Sequence, residues 1–324
     1  MFAGFQDYLA VLKPRLNEAF HRQLHMVLGR ITLKNAASLL ATLEAGKRIR
    51  GCLSCMISDA LGGALESVIP RAVAVELIQA ATLIHDDFVD QDTRRRNQPA
   101  VWTLEGARRA VLIGDVIFAT AIKMMSDLSR EDGVVVSQAI AKLSRGALHE
   151  PLDPFGLSQE IESHRMNENL YEKIIHLKTG ILFGTACQLG AIAAEANGRI
   201  REVMYRYGLR IGEAYQIADD LMDVKKHLSS RSIHPQQMAA LAPALLYFVS
   251  EIRPDILPIL RGESLKFRDS TAEFLGQAVR LMEQEIERRL HSARSEIEVV
   301  FPKNEYGELA RKTPWDLIQM FNES

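Results

Sequence analysis

Residues 72–90 read Ala72-Val73-Ala74-Val75-Glu76-Leu77-Ile78-Gln79-Ala80-Ala81-Thr82-Leu83-Ile84-His85-Asp86-Asp87-Phe88-Val89-Asp90. Through Ile84 the stretch is apolar around most of a helical circumference, which places the helix in the middle of a bundle. Three carboxylates then close it. At ~100° per residue Asp86 and Asp90 stand about 40° apart, so both project from one face with Asp87 on its edge. The pattern returns 133 positions later (219 − 86) in Gln216-Ile217-Ala218-Asp219-Asp220-Leu221-Met222-Asp223, again after a largely apolar helical run. Carboxylates at the ends of apolar helices are costly unless neutralised, and hard divalent cations with oxygen ligands are the obvious partner. Magnesium takes one or two protein carboxylates and completes its shell with water and phosphate oxygens. Two facing clusters could therefore clamp a diphosphate through a group of metal ions. The competing explanation is two charged helix ends. Identical spacing, apolar approaches and flanking basic residues in both copies weigh against it.

Outward from these segments the chain reads as helix nearly throughout. Leu, Ala, Ile, Glu, Arg and Gln dominate, and apolar residues recur at three-to-four spacing rather than alternating. Helices are expected over 5–28, 34–44, 48–61, 67–92, 104–128, 132–150, 167–196, 200–224, 238–252, 271–298 and 306–321, with no strand. Ile181–Ala194 is a second helix apolar all round. Breaks fall at Gly62-Gly63, Pro99, the Pro151/Pro154/Gly156 cluster, Asn197-Gly198 and from Ser229 to Pro235. None suits a domain linker, so the expectation is a single all-α domain over 1–324. Glu283 to Glu298 is densely charged, with Glu285 and Arg289 four apart, as in a solvated helix with ion-pair support. Trp315, Leu317, Ile318 and Phe321 suggest a packed C-terminal helix or an oligomer contact.

Composition narrows the function classes. Lys plus Arg number 39 against 41 Asp plus Glu, which argues against a nucleic-acid or anionic-membrane partner. No basic n-region precedes an apolar run at the N-terminus, and no uninterrupted membrane-length apolar stretch occurs, so a cytoplasmic protein without an integral membrane segment is expected. Cys52, Cys55 and Cys187 are too few for a disulfide framework, and Cys52 and Cys55 read as small packing residues one turn apart. His21 and His25 are four apart, but Arg22 stands where a zinc-protease motif has Glu, leaving a solvated helix face. His85 is placed either to orient Asp86 or to pack. Walker A and G-x-G-x-x-G patterns are absent from the sequence.

Further motifs surround the acidic clusters: Gly46-Lys47-Arg48-Ile49-Arg50, Arg95-Arg96, Gly114-Asp115, Lys178-Thr179 and Tyr215-Gln216 ahead of Asp219. In combination, from about Gly46 to Asp223, they resemble the trans-isoprenyl diphosphate synthases, the polyprenyl synthetase family. The resemblance implies a helical bundle of the isoprenoid synthase type with a central apolar cavity. It implies 1′–4 condensation of an allylic prenyl diphosphate with isopentenyl diphosphate. Asp86, Asp90 and Asp219 would hold magnesium, three ions with substrate bound and Mn2+ able to substitute, while Asp87, Asp220 and Asp223 act as ligands or orienters. Arg95 and Lys178 are directed to the allylic diphosphate; Lys47, Arg50 and Arg96 to isopentenyl diphosphate. Thr179 and Gln216 join the substrate site, Gln79 is a fourth contact, and a homodimer is implied. The physical sense is independent of the name. A departing diphosphate needs positive charge around it, the allylic carbocation needs dryness, and the diphosphate itself can take the final proton.

The match has gaps. Gln79 replaces a histidine seven positions before Asp86, Asn97 a glycine, Trp102 a histidine, and Ala147 a glutamate, beside His149-Glu150-Pro151. After Asp223 the family's G-K, D-L and G-K-x-T-x-P elements are missing. Lys225, Lys226, Arg231 and His234 are candidate substitutes, with Lys226 or Arg231 expected to replace the missing cation. Four and five positions before Asp86, where aromatics stop product growth in the family, stand Thr82 and Ala81. A C20 or longer product is expected, with Ile78, Val75 and Ala74 as the next stops. Two alternatives stay open: a terpene cyclase, whose second metal motif differs from 219–223, and a non-catalytic partner subunit of a heteromeric synthase.

Overall fold

In a computed structural model, which describes residues 2–151, 153–167, 169–230, 232–266, 269–301 and 304–322 without the side chains of 230, 269, 321 and 322, helix α1 (Phe5–Leu28) fills the expected 5–28 segment. Its buried Phe5, Tyr8, Leu12, Leu16, Phe20, Leu24 and Leu28 recur every three or four residues, one apolar stripe facing inward. Then come α2 (Ala36–Glu44), α3 (Ile49–Ala60) and α4 (Leu65–Val89). Ala72 to Ile78, Ala80, Ala81 and Ile84 of α4 are buried, as an all-round apolar helix requires.

The expectation of no strand fails at one hairpin. Arg94–Arg95 (β1) and Gln98–Pro99 (β2) pair antiparallel, and the turn residues Arg96 and Asn97 have φ of 48° and 62°. Positive φ at both central positions is the type I′ turn, and asparagine tolerates it nearly as glycine does. Gly106, at φ 88°, divides the helix expected over 104–128 into α5 (Val101–Glu105) and α6 (Ala107–Leu128). After α7 (Arg130–Ala147), the Pro154/Gly156 cluster starts a helix instead of only breaking one. Asp153 accepts from the Phe155 N–H and Pro154 occupies the first turn of α8 (Pro154–Glu162).

The single helix expected over 167–196 is α9 (Leu170–Ile174), a π-helical segment (Ile175–Gly180) and α10 (Ile181–Ala193) in succession. α11 (Gly198–Ser230) continues past the expected end at 224. α12 (Pro235–Phe248) is followed by α13 (Arg253–Leu260), which lies outside all the expected helices. α14 (Asp269–Ile297) and α15 (Glu305–Asn322) complete the chain. Leu317 is buried and Trp315 and Ile318 half-buried; the Phe321 side chain lies outside the described set.

Two compact units emerge, Met1–Ala141 with Leu182–Gly208 and Glu296–Asp316, and Lys142–Ile181 with Leu209–Ser295 and Leu317–Ser324. In the first, α4 packs on α1, α3, α5 and α6. Here α10 runs close to α3, where a Cβ on Gly190 would collide with the Ser54 carbonyl. Cys52, Cys55 and Cys187 are buried in this unit, and burial pushes their thiols up. By length and composition α4 could cross a membrane, and most of its apolar window is buried within the protein. In the second unit α8, α12 and α13 pack together, and α9 lies on α12.

Candidate active site

α4 turns its closing aspartates apart as ~100° spacing requires. Asp86 is half-buried, Asp90 exposed and Asp87 only 2% exposed. Asp87 accepts from the Arg95 guanidinium, which the β1–β2 hairpin delivers to it. Loss of water pushes the Asp87 carboxyl up, and Arg95 pulls it back. Just before it, His85 Nε2 lies 3.0 Å from the Val111 carbonyl and 3.6 Å from Asp115. A Cβ on Gly114 would strike that ring, so the Gly114-Asp115 pair is a seat for His85 and orients the turn bearing Asp86.

The Gly46–Arg50 element turns on Arg48, a left-handed residue at φ 60° whose guanidinium is buried. Arg48 donates to Asn17 Oδ1 (2.9 Å) and the Glu44 carbonyl (3.1 Å), faces Glu76 at 3.7 Å, and lies 3.7 Å from the Phe20 ring centre. Glu76, buried on α4, also accepts from the Gly51 N–H in the first turn of α3 at 2.7 Å. Arg48 is thus a post that shapes the loop. Lys47 is left exposed, and Arg50 is half-buried with its guanidinium 4.5 Å from the Phe183 ring centre. A Cβ on Gly46 would hit Arg48 and come 3.5 Å from Arg96 Nη1, so Arg96 reaches the loop that carries Lys47. Gln79 is half-buried on α4, two turns before Asp86 on the same face.

In the second unit Asp219 and Asp223 are exposed and Asp220 is half-buried. Asp220 accepts from Tyr171 Oη (2.6 Å) and Gln216 Nε2 (3.1 Å). Its removal from water pushes the carboxyl up to about 7, with Asp219 and Asp223 adding to the rise and the two donors opposing it. Gln216 in turn accepts from Thr179 Oγ1 at 2.6 Å, linking the Lys178-Thr179 pair to the motif. Lys178 Nζ lies 2.5 Å from Glu150. Both residues of the pair sit on the π-helical segment, where a Cβ on Gly180 would come 2.9 Å from Leu209 and 3.1 Å from Glu213. Such widened turns often occur where a helix must aim side chains at a functional centre.

Arg289 corrects the expectation of a solvated helix at 283–298. It is 2% exposed and its guanidinium reaches Glu213 (2.5 Å), Glu172 (2.6 Å) and Glu285 (2.7 Å). Glu213 also receives Arg210 and lies 3.0 Å from His176 Nδ1, and Glu172 accepts from Tyr247 Oη. Burial would raise the Glu213 carboxyl, but His176, Arg289 and Arg210 hold it below the usual range. The network binds α9, α11 and α14 beneath the segment that carries Lys178. Its partners are far apart in sequence, so only Glu285 was within reach of a helical-spacing argument.

Beyond Asp223, Lys225 pairs with Glu283 at 2.8 Å, and the His234 N–H bonds Gln237 at the start of α12. Lys226 is exposed, three residues after Asp223 and seven after Asp219, hence on their face of α11. Arg231 lies outside the described residues. Local spacing gives no role to Glu76, Tyr171 or Glu213, and none to Glu150 beyond its place in His149-Glu150-Pro151; a charge inside an apolar helical run was the available signal for Glu76.

Neither aspartate trio gathers three ligand oxygens within 4.8 Å; among the described residues only His21, His25 and Glu44 meet that test. An open fan of carboxylates suits magnesium, which completes its shell from water and substrate phosphates.

The family model described as polyprenyl synthetase matches residues 32–231. The geranylgeranyl diphosphate synthase of Methanosarcina mazei is 34% identical over 180 residues, 55% of this chain and 55% of that protein. The geranylfarnesyl diphosphate synthase of Aeropyrum pernix is 34% identical over 202 residues, 59% of this chain and 61% of that protein. The chain thus spans little more than half the length of these curated relatives. A crystal structure of polyprenyl synthase from Caulobacter crescentus CB15, complexed with calcium and isoprenyl diphosphate, shares the fold, with a TM-score of 0.75 at 22% identity over 98% of each chain.

Proposed function

This chain belongs to the polyprenyl synthetase family, and from that premise we propose that it is a trans-prenyltransferase joining an allylic prenyl diphosphate to isopentenyl diphosphate. One observation carries the proposal: in both aspartate motifs the first and last carboxylates are more open to solvent than the middle one, which is held by a donor from the surrounding substrate-site residues, Arg95 for Asp87 and Gln216 for Asp220.

Asp86, Asp90 and Asp219 are the proposed magnesium ligands, with Asp87, Asp220 and Asp223 orienting them. Magnesium, three ions with substrate and replaceable by Mn2+, would supply neutralisation of the leaving diphosphate. Arg95 and Lys178 donate to that group as the allylic C1–O bond breaks and the electron pair leaves with oxygen. Lys47, Arg50 and Arg96 hold isopentenyl diphosphate, with Gln79 beside them, so that its terminal alkene carbon bonds C1. The proton lost from C2 passes to the departed diphosphate. Apolar side chains such as those of α4 keep water from the cation.

Lys178 must exchange Glu150 for the diphosphate, and Lys226, on the face of Asp219 and Asp223, takes the place of the missing cation. The small Ala81 and Thr82 suit a linear product of C20 or longer. Because neither compact unit is a continuous stretch of sequence, 1–324 is proposed to work as one domain, in a cytoplasmic homodimer. The altered segment after Asp223, where Lys225 is committed to Glu283, favours one second reading, a non-catalytic partner subunit.

Labelled isopentenyl diphosphate offered with C5, C10, C15 and C20 primers, with and without magnesium, tests the proposal. Magnesium-dependent elongation to C20 or beyond by the purified chain is expected. Turnover of no primer sinks it and leaves the partner-subunit reading; accumulation of C15 alone sinks the length assignment.

A further inference from the structure

We propose that His21, His25 and Glu44 form a second metal site, for a transition ion of the Zn2+ type, on the outer face where α1 meets the end of α2. It is separate from the aspartate motifs and does not rest on the proposed condensation. His21 and His25 stand four apart on α1, so their rings share a face, with centres 4.2 Å apart. Glu44, the last residue of α2, turns its carboxylate onto Nδ1 of His21. One ligand atom from each of the three lies within 4.8 Å of the others.

A tetrahedral zinc with ~2.0–2.1 Å bonds needs its ligand atoms about 3.3 Å apart. Both histidines are exposed and Glu44 is half-buried, so rotation of side chains alone can close that gap without moving either helix. Two imidazole nitrogens select a transition ion over magnesium, which prefers oxygen throughout.

The surroundings supply a support and an opening. Arg48 donates to the backbone carbonyl of Glu44 at 3.1 Å and so fixes the residue that brings the carboxylate. Its positive charge is faced by Glu76 at 3.7 Å, and on the rim Glu18 is paired with Arg22 at 3.1 Å. A hollow of about 310 Å³ lined by Asn17, Glu18, His21, Glu44 and Arg48 adjoins two of the ligands, His21 and Glu44. The fourth coordination position would open onto it and take water. A bound ion would tie α1 to the end of α2, two residues before Gly46.

The test is calorimetric titration of Zn2+ into the full chain at pH 7.5 with millimolar magnesium present to occupy the aspartates. Co2+ absorption serves as a second readout of nitrogen coordination. One Zn2+ per chain at micromolar affinity is expected, weakened at least about tenfold in both His21→Ala and His25→Ala. It should be unchanged in His291→Ala, which removes an exposed histidine four residues from Glu287 on α14. Zinc should raise the melting temperature of the wild type and not of His25→Ala, whose own metal-free melting temperature shows that it folds. Equal binding by wild type and His25→Ala, or no saturable binding below about 100 µM, overturns the site and leaves the His21–Glu44 contact as an ordinary surface hydrogen bond.

Discussion

Asp87 and Asp220 hold the same position in two motifs of identical spacing, yet they are satisfied by different means. Asp87 is fully enclosed and answered by a cation, Arg95. Asp220 is answered by neutral donors, Tyr171 and Gln216, and its carboxyl rises to about 7. Spacing decides which way a carboxylate points; the groups that meet it decide its charge. Burial pushes both carboxyls up, but only Asp87 has a cation of the protein beside it to oppose the rise.

The outer aspartates should not distinguish the motifs. Asp86→Ala and Asp219→Ala are each expected to reduce kcat by about a thousandfold, ~4 kcal/mol, with native circular dichroism; retention of more than a tenth of the activity by either breaks the symmetry. Next in size is the frame of the second motif. Arg289→Met leaves Glu213 and Glu172 without their buried cation and should cost about 3 kcal/mol in denaturant unfolding.

The inner donors test the difference directly. Arg95→Ala should cost turnover about thirtyfold, ~2 kcal/mol, and Tyr171→Phe about fivefold, ~1 kcal/mol, because a charged hydrogen bond is worth more than a neutral one. Equal effects would remove the distinction. The pH dependence tests the same difference without substrate. Asp220 is raised from 3.8 to about 7, so the folded state holds the proton more tightly than the unfolded chain. Metal-free stability should then fall as pH rises between about 4 and about 7. Asp220→Asn should melt a few degrees higher than the wild type at pH 8 and equally at pH 4, and magnesium should narrow the gap. A wild-type advantage at pH 8 without metal would contradict the assignment.

Periodicity made the helices legible wherever one face is apolar and the ends are plain. α1 and the buried run of α4 stand where three-to-four spacing puts them, and both aspartate motifs were visible because their geometry is local. What escaped depends on partners remote in sequence. Arg289 looks like a surface residue among its charged neighbours, and only Glu213 and Glu172, 76 and 117 positions away, make it a core residue. Glu150 gained meaning only beside Lys178. The hairpin at Arg94–Pro99 was hidden because Arg96-Asn97 carries no glycine, although Asn97 can take the left-handed conformation. α8 is hidden because a proline reads as a helix end, whereas Pro154, after Asp153, is a beginning.

The π-helical turn at Ile175–Gly180 means that the helix there holds one residue more than an α-helical turn accommodates. Tyr171 on one side of the bulge grips Asp220, and Thr179 within it grips Gln216. Loss of a single residue within the bulge would let the ladder close to the α form with the flanking turns still in register, so Tyr171 would keep its place while the widened turn from which Thr179 reaches Gln216 would be gone. The extra residue thus serves the grip on Gln216 rather than the course of the helix.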